Sequence, residues 1–551
     1  MKIATIFIKV SNDVEQKMTT PKTRIETYDT TLRDGTQTQG VSLSLKDKLE
    51  VAEALDALGV DYIEGGYPLS NPKDEQFFAE IRKKNFRNAK IAAFGMTRRK
   101  DIKAADDVGM QALLNSEAPA VTIVGKSWDL HVTDVLRVSE DENLKMIFDS
   151  VEIMVKAGRE AIYDAEHFFD GYRVNPGFAM KTLCGAHEAG AQSLVLCDTN
   201  GGSLPHQITD IIMEIRKVLP DAKLGIHCHN DSDLAVANTL AAVLAGVTQV
   251  QGTVNGIGER CGNADLVSVL ANLGIKMGYD VLKKDSLKNL TSTSRFVYEI
   301  ANLNFRESQP FVGSNAFAHK GGMHVHAVQR NVNTYEHISP DLIGNKRRIL
   351  VSELSGVSNI AATVPAKFEI GDDKTAQRRI LKTIMELENE GYEFDAAEAS
   401  FEMIVRKTLG GKWYRKLWDL DHYRCMILRR HNENALTEGT TKLTMDGKSL
   451  HTVAEGDGPV DSLMKSLKLA LREKYPCVDD LHLMDYRVRV INTSAETAAS
   501  VRVVIDWRDA SDDSYFGSVG VDANIIDASW LAIVDAIEFK LLAAEELGTG
   551  A

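Results

Sequence analysis

The chain has 551 residues, enough for two to four domains, and 44% are hydrophobic, so sizeable cores can be buried. Its formal charge of −14, with no cluster of lysine and arginine to interrupt it, argues against nucleic acid as the partner. Six cysteines (Cys184, Cys197, Cys228, Cys261, Cys425, Cys477) form no C-x-x-C pair and no dense framework, which reads as reduced thiols in a cytoplasmic protein. No apolar run is long enough to span a membrane, and the start, MKIATIFIKV, turns polar too quickly for a signal peptide.

Residues 1–22 differ from the ordered core that follows and are expected to be a disordered extension or an over-called start upstream of Met18. From 24 to about 279 strand and helix patterns alternate. The predicted strands are 25–28, 62–65, 90–94, 121–124, 161–164, 193–197, 223–227 and 250–254. Several strands share an entry signal of a helix ending in glycine, one small or apolar residue, then the strand, as at Gly59, Gly190 and Gly246. Eight such units over 23–284 favour a closed (β/α)8 barrel over an open doubly wound sheet, although the third helix is short and polar. Arg33 and Asp34 follow the first strand and Glu64 ends the second. Glu166 and His167 end the fifth, Asp198 and Thr199 the sixth, His227 and His229 the seventh, and residues 255–263 follow the eighth. All are carboxyl ends of strands, the catalytic face of a barrel.

Residues 285–410 read as a mostly helical linker. Within it, 315–326 (NAFAHKGGMHVH) places three histidines beside paired glycines, and reads as a loop that reaches toward something. Residues 411–551 change character again. Strand-like runs at 425–428, 442–445, 487–491, 501–507 and 515–521 accompany helices that begin near Asp461 and Asp527. This is a weak ββα repeat, an α+β domain expected to pack with its copy or with another subunit.

His227 and His229 lie two apart on an extended segment, so both face one side while Cys228 faces the barrel wall. Two imidazoles and the Asp34 carboxylate suit a divalent ion with open positions for substrate; magnesium, manganese, cobalt and zinc all fit. The plainer reading is a hydrogen-bonded histidine pair at a strand end. Arg33 reads either as a surface ion-pair partner or as a guanidinium that stabilises a growing oxyanion. Metal and arginine together suit a 2-oxoacid, with Thr199 placed for its carboxylate and Phe94 at the end of the third strand narrowing the pocket. Thr199 equally suits a plain turn before Asn200-Gly201. Glu166 and His324 are the acid/base candidates.

Four segments carry a resemblance: D-T-T-L-R-D-G-T-Q, H-C-H-N-D, N-G-I-G-E-R-C-G-N-A-D-L and H-K-G-G-M-H. Together they resemble the α-isopropylmalate, homocitrate and citramalate synthases, acetyl-CoA-dependent condensing enzymes, over nearly the whole chain from about residue 24. E-G-G-Y-P-L-S-N-P-K-D, N-T-Y-E-H-I and R-R-I-L-V-S-E-L-S-G resemble the long bacterial citramalate branch. The resemblance implies that Asp34, His227, His229 and Asn263 bind the metal, magnesium or manganese ahead of zinc or cobalt. It implies that Arg33 and Thr199 contact the 2-oxoacid, and that Glu166 and His324, assisted by Tyr335, remove a proton from the acetyl methyl. The implied reaction is condensation of acetyl-CoA with pyruvate and thioester hydrolysis to (R)-citramalate and CoA, in a cytoplasmic homodimer whose 411–551 domain takes isoleucine as feedback effector. The alternatives are the same chemistry on a larger 2-oxoacid, as in isopropylmalate or homocitrate synthase, a 3-hydroxy-3-methylglutaryl-CoA lyase, and an amino-acid sensor with a degenerate barrel.

Overall fold

The computed structural model describes residues 23–283, 285–319, 322–349, 364, 366–368, 370, 373–394, 397–431, 435–491 and 500–546. The expected N-terminal extension at 1–22 and the 350–356 part of R-R-I-L-V-S-E-L-S-G lie outside them. The described residues form two compact units, one running to Phe317 and taking in Ile338–Arg347, the other made of Ala318–His337 and the chain from Arg348.

The first unit is a closed barrel of eight parallel strands in chain order: β1 (Glu26–Asp29), β2 (Tyr62–Gly66), β3 (Lys90–Met96), β4 (Ala120–Lys126), β5 (Glu160–Glu166), β6 (Ser193–Asp198), β7 (Leu224–Cys228) and β8 (Gln249–Gly252). β1 closes on β8 in a register that pairs Glu26 with Gln249 and Asp29 with Gly252. The eight expected strands are all present; β2 to β6 run on at their carboxyl ends by one or two residues beyond the expected bounds, into glycines and the polar Lys126, Glu166 and Asp198, whereas β8, expected over 250–254, ends at Gly252. Period two sorts the side chains. Tyr28, Tyr62, Ala92, Ala120, Ile162, Val195 and Cys197 pack inside the barrel. Ile63, Val121, Leu196, Ile226, Cys228 and Val250 join the core beneath the surrounding helices.

Capping sets the crossovers. Ser44 and Asp47 form a reciprocal capping box at the start of helix Leu45–Leu58, and Gly59 ends it at φ +96°. Gly246 follows helix Ala235–Leu244 at φ +102°, again in the left-handed region the entry signal predicts.

In the second unit β9 (Ala318–His319) pairs in parallel with β10 (Arg348–Ile349). The segment with His324, expected to be a loop, is instead helical over Gly322–Arg330. Val325 and Val328, three apart, are both buried, and that spacing overrides the helix-breaking glycine pair before it. The C-terminal part carries two three-stranded antiparallel sheets. β11 (Asp419–Leu428), β12 (Leu436–Met445) and β13 (Lys448–Gly456) precede helix Pro459–Leu471; β14 (Leu481–Val490), β15 (Val501–Asp509) and β16 (Ser514–Asp522) precede helix Ile525–Glu546. The repeat is therefore βββα, one strand richer than expected. The strand passed over, β13, has an alternating exposed face, and its clearest signal is the Asp446-Gly447 turn, with φ +51° and +76°. Both halves contribute to one core that includes Leu463, Leu467, Ile505, Trp507, Ile533 and Ile537.

Gly171 gives a direct test of barrel packing. A Cβ there would lie 2.2 Å from the Ser127 carbonyl oxygen, backbone that has no room to move. Gly171→Ala is expected to cost about 3 kcal/mol, whereas Gly246→Ala, which meets only a conformational penalty, costs about 1 kcal/mol. Urea midpoints of the barrel transition check this; equal midpoints would show that the close approach at Gly171 is not needed.

Candidate active site

Parity places the inward side chains at the carboxyl ends of the strands. Glu64, Phe94, Lys126, Asp164 and Glu166 share the parity of the interior residues on their strands, and His227 and Gln251 have the parity opposite to Ile226, Cys228 and Val250, which pack in the core beneath the helices. The turn after β1 adds Arg33 and Asp34. It is anchored by Asp29, which accepts from the Thr31 backbone N–H and hydroxyl, both at 2.9 Å. The Thr31 hydroxyl oxygen accepts in turn from the Val254 N–H at 2.9 Å, tying the first loop to the eighth.

Asp34, His227 and His229 are all buried, and each offers a ligand atom within 4.8 Å of the others. Asp34 Oδ2 stands 3.4 Å from His227 Nε2 and 4.0 Å from His229 Nε2. Asn263 is brought to the same side by a backbone bridge to His229. The buried Asp34 Oδ1 and Asn263 Oδ1 have no hydrogen-bond donor. Two orphaned acceptors and two imidazoles in one buried pocket fit a divalent cation, which satisfies oxygens that no protein N–H reaches.

Electrostatics prepare the cluster. Burial pushes the Asp34 carboxyl up, but Arg33 and His227 outweigh it and hold it well below the usual carboxylate range. Burial, then His227, push the His229 imidazole down to about 4, so it is neutral at pH 7. For His227 burial lowers the pKa, but Asp34 overrides it and raises the value above the ordinary 6.5.

Arg33 is clamped on three sides. Its Nε donates to Glu64 Oε2 at 2.7 Å, its guanidinium meets Asp34 Oδ2 at 3.2 Å, and its central carbon sits 4.0 Å over the Phe94 ring. Burial alone would lower its pKa, but Glu64 and Asp34 raise it, so the group stays cationic. Glu64 also accepts from the Tyr28 hydroxyl at 3.0 Å, and that hydroxyl meets Thr122 Oγ1 at 2.7 Å.

The Thr199 hydroxyl accepts from the His167 N–H at 2.8 Å, leaving its own hydrogen to donate elsewhere. Its carbonyl accepts from Arg260, which also pairs with Asp231. Glu166 is ion-paired with Lys126. His324 and Tyr335 belong to the second unit, where their rings stack with centroids 4.1 Å apart. Sequence reasoning noted Glu64 only as a strand end and gave no part to Lys126 or Arg260. For Lys126 the one available signal was its place at the end of a strand whose interior side is otherwise small or apolar.

Comparison with known proteins agrees in outline and in length. Residues 24–297 match the HMGL-like family, 311–391 the homocitrate synthase post-HMGL domain-like family, and 395–541 the LeuA allosteric (dimerisation) domain. The chain is 49% identical to the (R)-citramalate synthase of Aquifex aeolicus (strain VF5) over 527 residues, covering 95% of this chain and 99% of that one. It is 48% identical to the (R)-citramalate synthase of Geobacter sulfurreducens over 527 residues, covering 95% and 98%. A 2-isopropylmalate synthase of Methanocaldococcus jannaschii is 32% identical over 528 residues, covering 95% and 96%. A barrel with this cluster at its mouth, followed by the LeuA-type domain and matched end to end at such identity, leaves one assignment: the chain belongs to the (R)-citramalate synthase family of acetyl-CoA-dependent acyltransferases.

Proposed function

We propose that the chain condenses acetyl-CoA with pyruvate and hydrolyses the thioester, giving (R)-citramalate and CoA on a pyruvate route to isoleucine. The observation that carries this reading is the clamped Arg33 beside the buried Asp34–His227–His229 cluster. Asp34, His227, His229 and Asn263 would hold a divalent ion, magnesium or manganese ahead of zinc or cobalt, which when bound polarises the ketone of the 2-oxoacid. Arg33 meets the ketone oxygen, and its fixed charge costs no reorganisation as the alkoxide develops. The Thr199 hydroxyl donates to the pyruvate carboxylate. Glu166 with His324 takes a proton from the acetyl methyl, and Tyr335 assists; the H-K-G-G-M-H motif supports the assignment of His324. The methyl carbon then attacks the ketone carbon, and water releases CoA from the thioester.

We further assign 23–284 to catalysis, 285–410 to a linker and 411–551 to regulation by isoleucine, in a cytoplasmic homodimer. The LeuA-type match supports regulation and dimerisation, and apolar residues exposed on the outer strands (Met426, Ile427, Val488, Val490) support a second copy. Among the described residues no helix is long and apolar enough to cross a membrane.

CoA release measured with acetyl-CoA and a panel of 2-oxoacids should give the highest kcat/KM with pyruvate, fall to background with chelator, and return with manganese or magnesium. Higher kcat/KM with 2-oxoisovalerate or 2-oxoglutarate would assign the chemistry to a larger substrate. Isoleucine should inhibit in the same assay; indifference to both isoleucine and leucine removes the regulatory reading.

Phe94→Ala opens the pocket where the third strand ends. The kcat/KM ratio of 2-oxoisovalerate to pyruvate should rise on the order of tenfold, while absolute rates fall because Arg33 loses its ring. An unchanged ratio would clear Phe94 of any part in specificity.

Metal affinity should depend on pH with a set sign. Protons compete for His227 Nε2, and its raised pKa extends that competition above pH 6.5. Manganese affinity is therefore expected to keep rising with pH through the neutral range, rather than levelling where an ordinary histidine is already neutral. Titrations at a series of pH values check this; a plateau reached below pH 6.5 would contradict it.

A further inference from the structure

A histidine ligates through one ring nitrogen only if its proton sits on the other. His227 turns Nε2 toward Asp34, at 3.4 Å. Its Nδ1 lies 2.9 Å from Gln251 Oε1, on the neighbouring strand. An amide can present either end. Were the Gln251 amide nitrogen turned to the ring, Nδ1 would have to accept, the proton would move to Nε2, and the nitrogen facing Asp34 would lose its lone pair. Asp164 decides between the two. Its Oδ1 stands 3.4 Å from Gln251 Nε2, and in its ionised form, which burial opposes and the nearby His227 and Arg33 favour, it accepts but does not donate. All three side chains are buried, Asp164 at 3% exposure, His227 at 4% and Gln251 fully, so water does not replace either partner. His229 has no such support: its Nδ1 is buried without a hydrogen-bond partner.

We propose that Asp164 and Gln251 are positioning residues, a chain running from β5 through β8 to β7 that holds His227 in the Nδ1-protonated form and so presents Nε2 to a divalent cation. Neither residue needs to touch substrate. The inference rests on the metal-site reading of Asp34, His227 and His229.

The test is manganese binding to the full-length protein, followed by calorimetry. Gln251→Leu removes the acceptor and should weaken binding by about ten- to a hundredfold. Asp164→Asn, close to isosteric, leaves the Gln251 amide without a fixed direction and should weaken it by a smaller factor. Gln251→Glu keeps an acceptor for Nδ1 that cannot flip, but sets a second buried carboxylate against Asp164, so alone it should restore affinity only in part. In that background Asp164→Asn, whose amide donates to the new carboxylate, should raise affinity to within about threefold of the parent, a reversal of sign that general loosening of the barrel would not produce. Asp34→Ala serves as the control for the site itself. If Asp34→Ala abolishes binding while Gln251→Leu and Asp164→Asn bind like the parent, the positioning role is wrong and the metal site stands. If Asp34→Ala binds like the parent, the metal-site reading fails first. If Asp164→Asn is as damaging in the Gln251→Glu background as in the parent, Asp164 does not act through the amide and the proposed chain is broken.

Discussion

One guanidinium is shared by two buried carboxylates, and the site is arranged around that fact. Glu64 and Asp34 each pair with Arg33, and the side chains are nearly or fully out of water, at 16% exposure for Arg33, 3% for Asp34 and none for Glu64. A buried charge is tolerated when paired and expensive when not. Here the count is one positive against two negative, so the trio is net negative, and the nearby His227 imidazole offsets only part of it. The excess falls on Asp34, whose second oxygen has no donor and whose neighbours are two imidazoles. On the proposed function a dication at that point would change the balance from a deficit to an excess of positive charge, the condition for drawing in a 2-oxoacid carboxylate.

The backbone makes this arrangement rigid. The turn carrying Arg33 and Asp34 is tied to the loop after β8 through Thr31 and Val254. The loop after β8 is tied to the end of β7 through the bridge between His229 and Asn263 and the bond from Asn230 N–H to the Gly262 carbonyl. Arg260 reaches from that loop to Asp231 and to the Thr199 carbonyl after β6. Loops from four strand ends thus brace one another around the cluster. Groups held this way do not reorganise as charge develops, and that is where electrostatic catalysis gains most.

What could be read from the sequence was whatever repeats at short range. Strand spacing, glycine at helix ends and the two-residue step from His227 to His229 are local patterns, and each has its counterpart in the fold. The helix at Gly322–Arg330 was hidden because paired glycines signal a loop more loudly than two valines signal a helix. β13 was hidden because an exposed edge strand keeps polar residues on both faces. The partners of Arg33 and His227 were hidden for a different reason. Glu64 lies 31 residues from Arg33 and Gln251 lies 24 from His227, and only closure of the barrel brings them together. A glutamine between Val250 and Gly252 looks unremarkable until the strand's inward face is known. Hydrogen-bond direction, which gives such a residue its meaning, leaves no periodic trace.

On the proposed function Phe94 would link reactivity to selectivity. Its ring lies against the Arg33 guanidinium at 4.0 Å, where it adds a cation–π contact and keeps water off one face of the charge. On the proposed reading the same ring bounds the space for the substrate's alkyl group. The two duties cannot be separated by a simple exchange. A smaller side chain enlarges the pocket but releases Arg33 to solvent, and a larger aromatic keeps the contact but closes the pocket further. A change of substrate therefore calls for a second group to hold Arg33 in place, and Glu64 cannot supply it alone because it fixes the guanidinium edge and leaves the face uncovered.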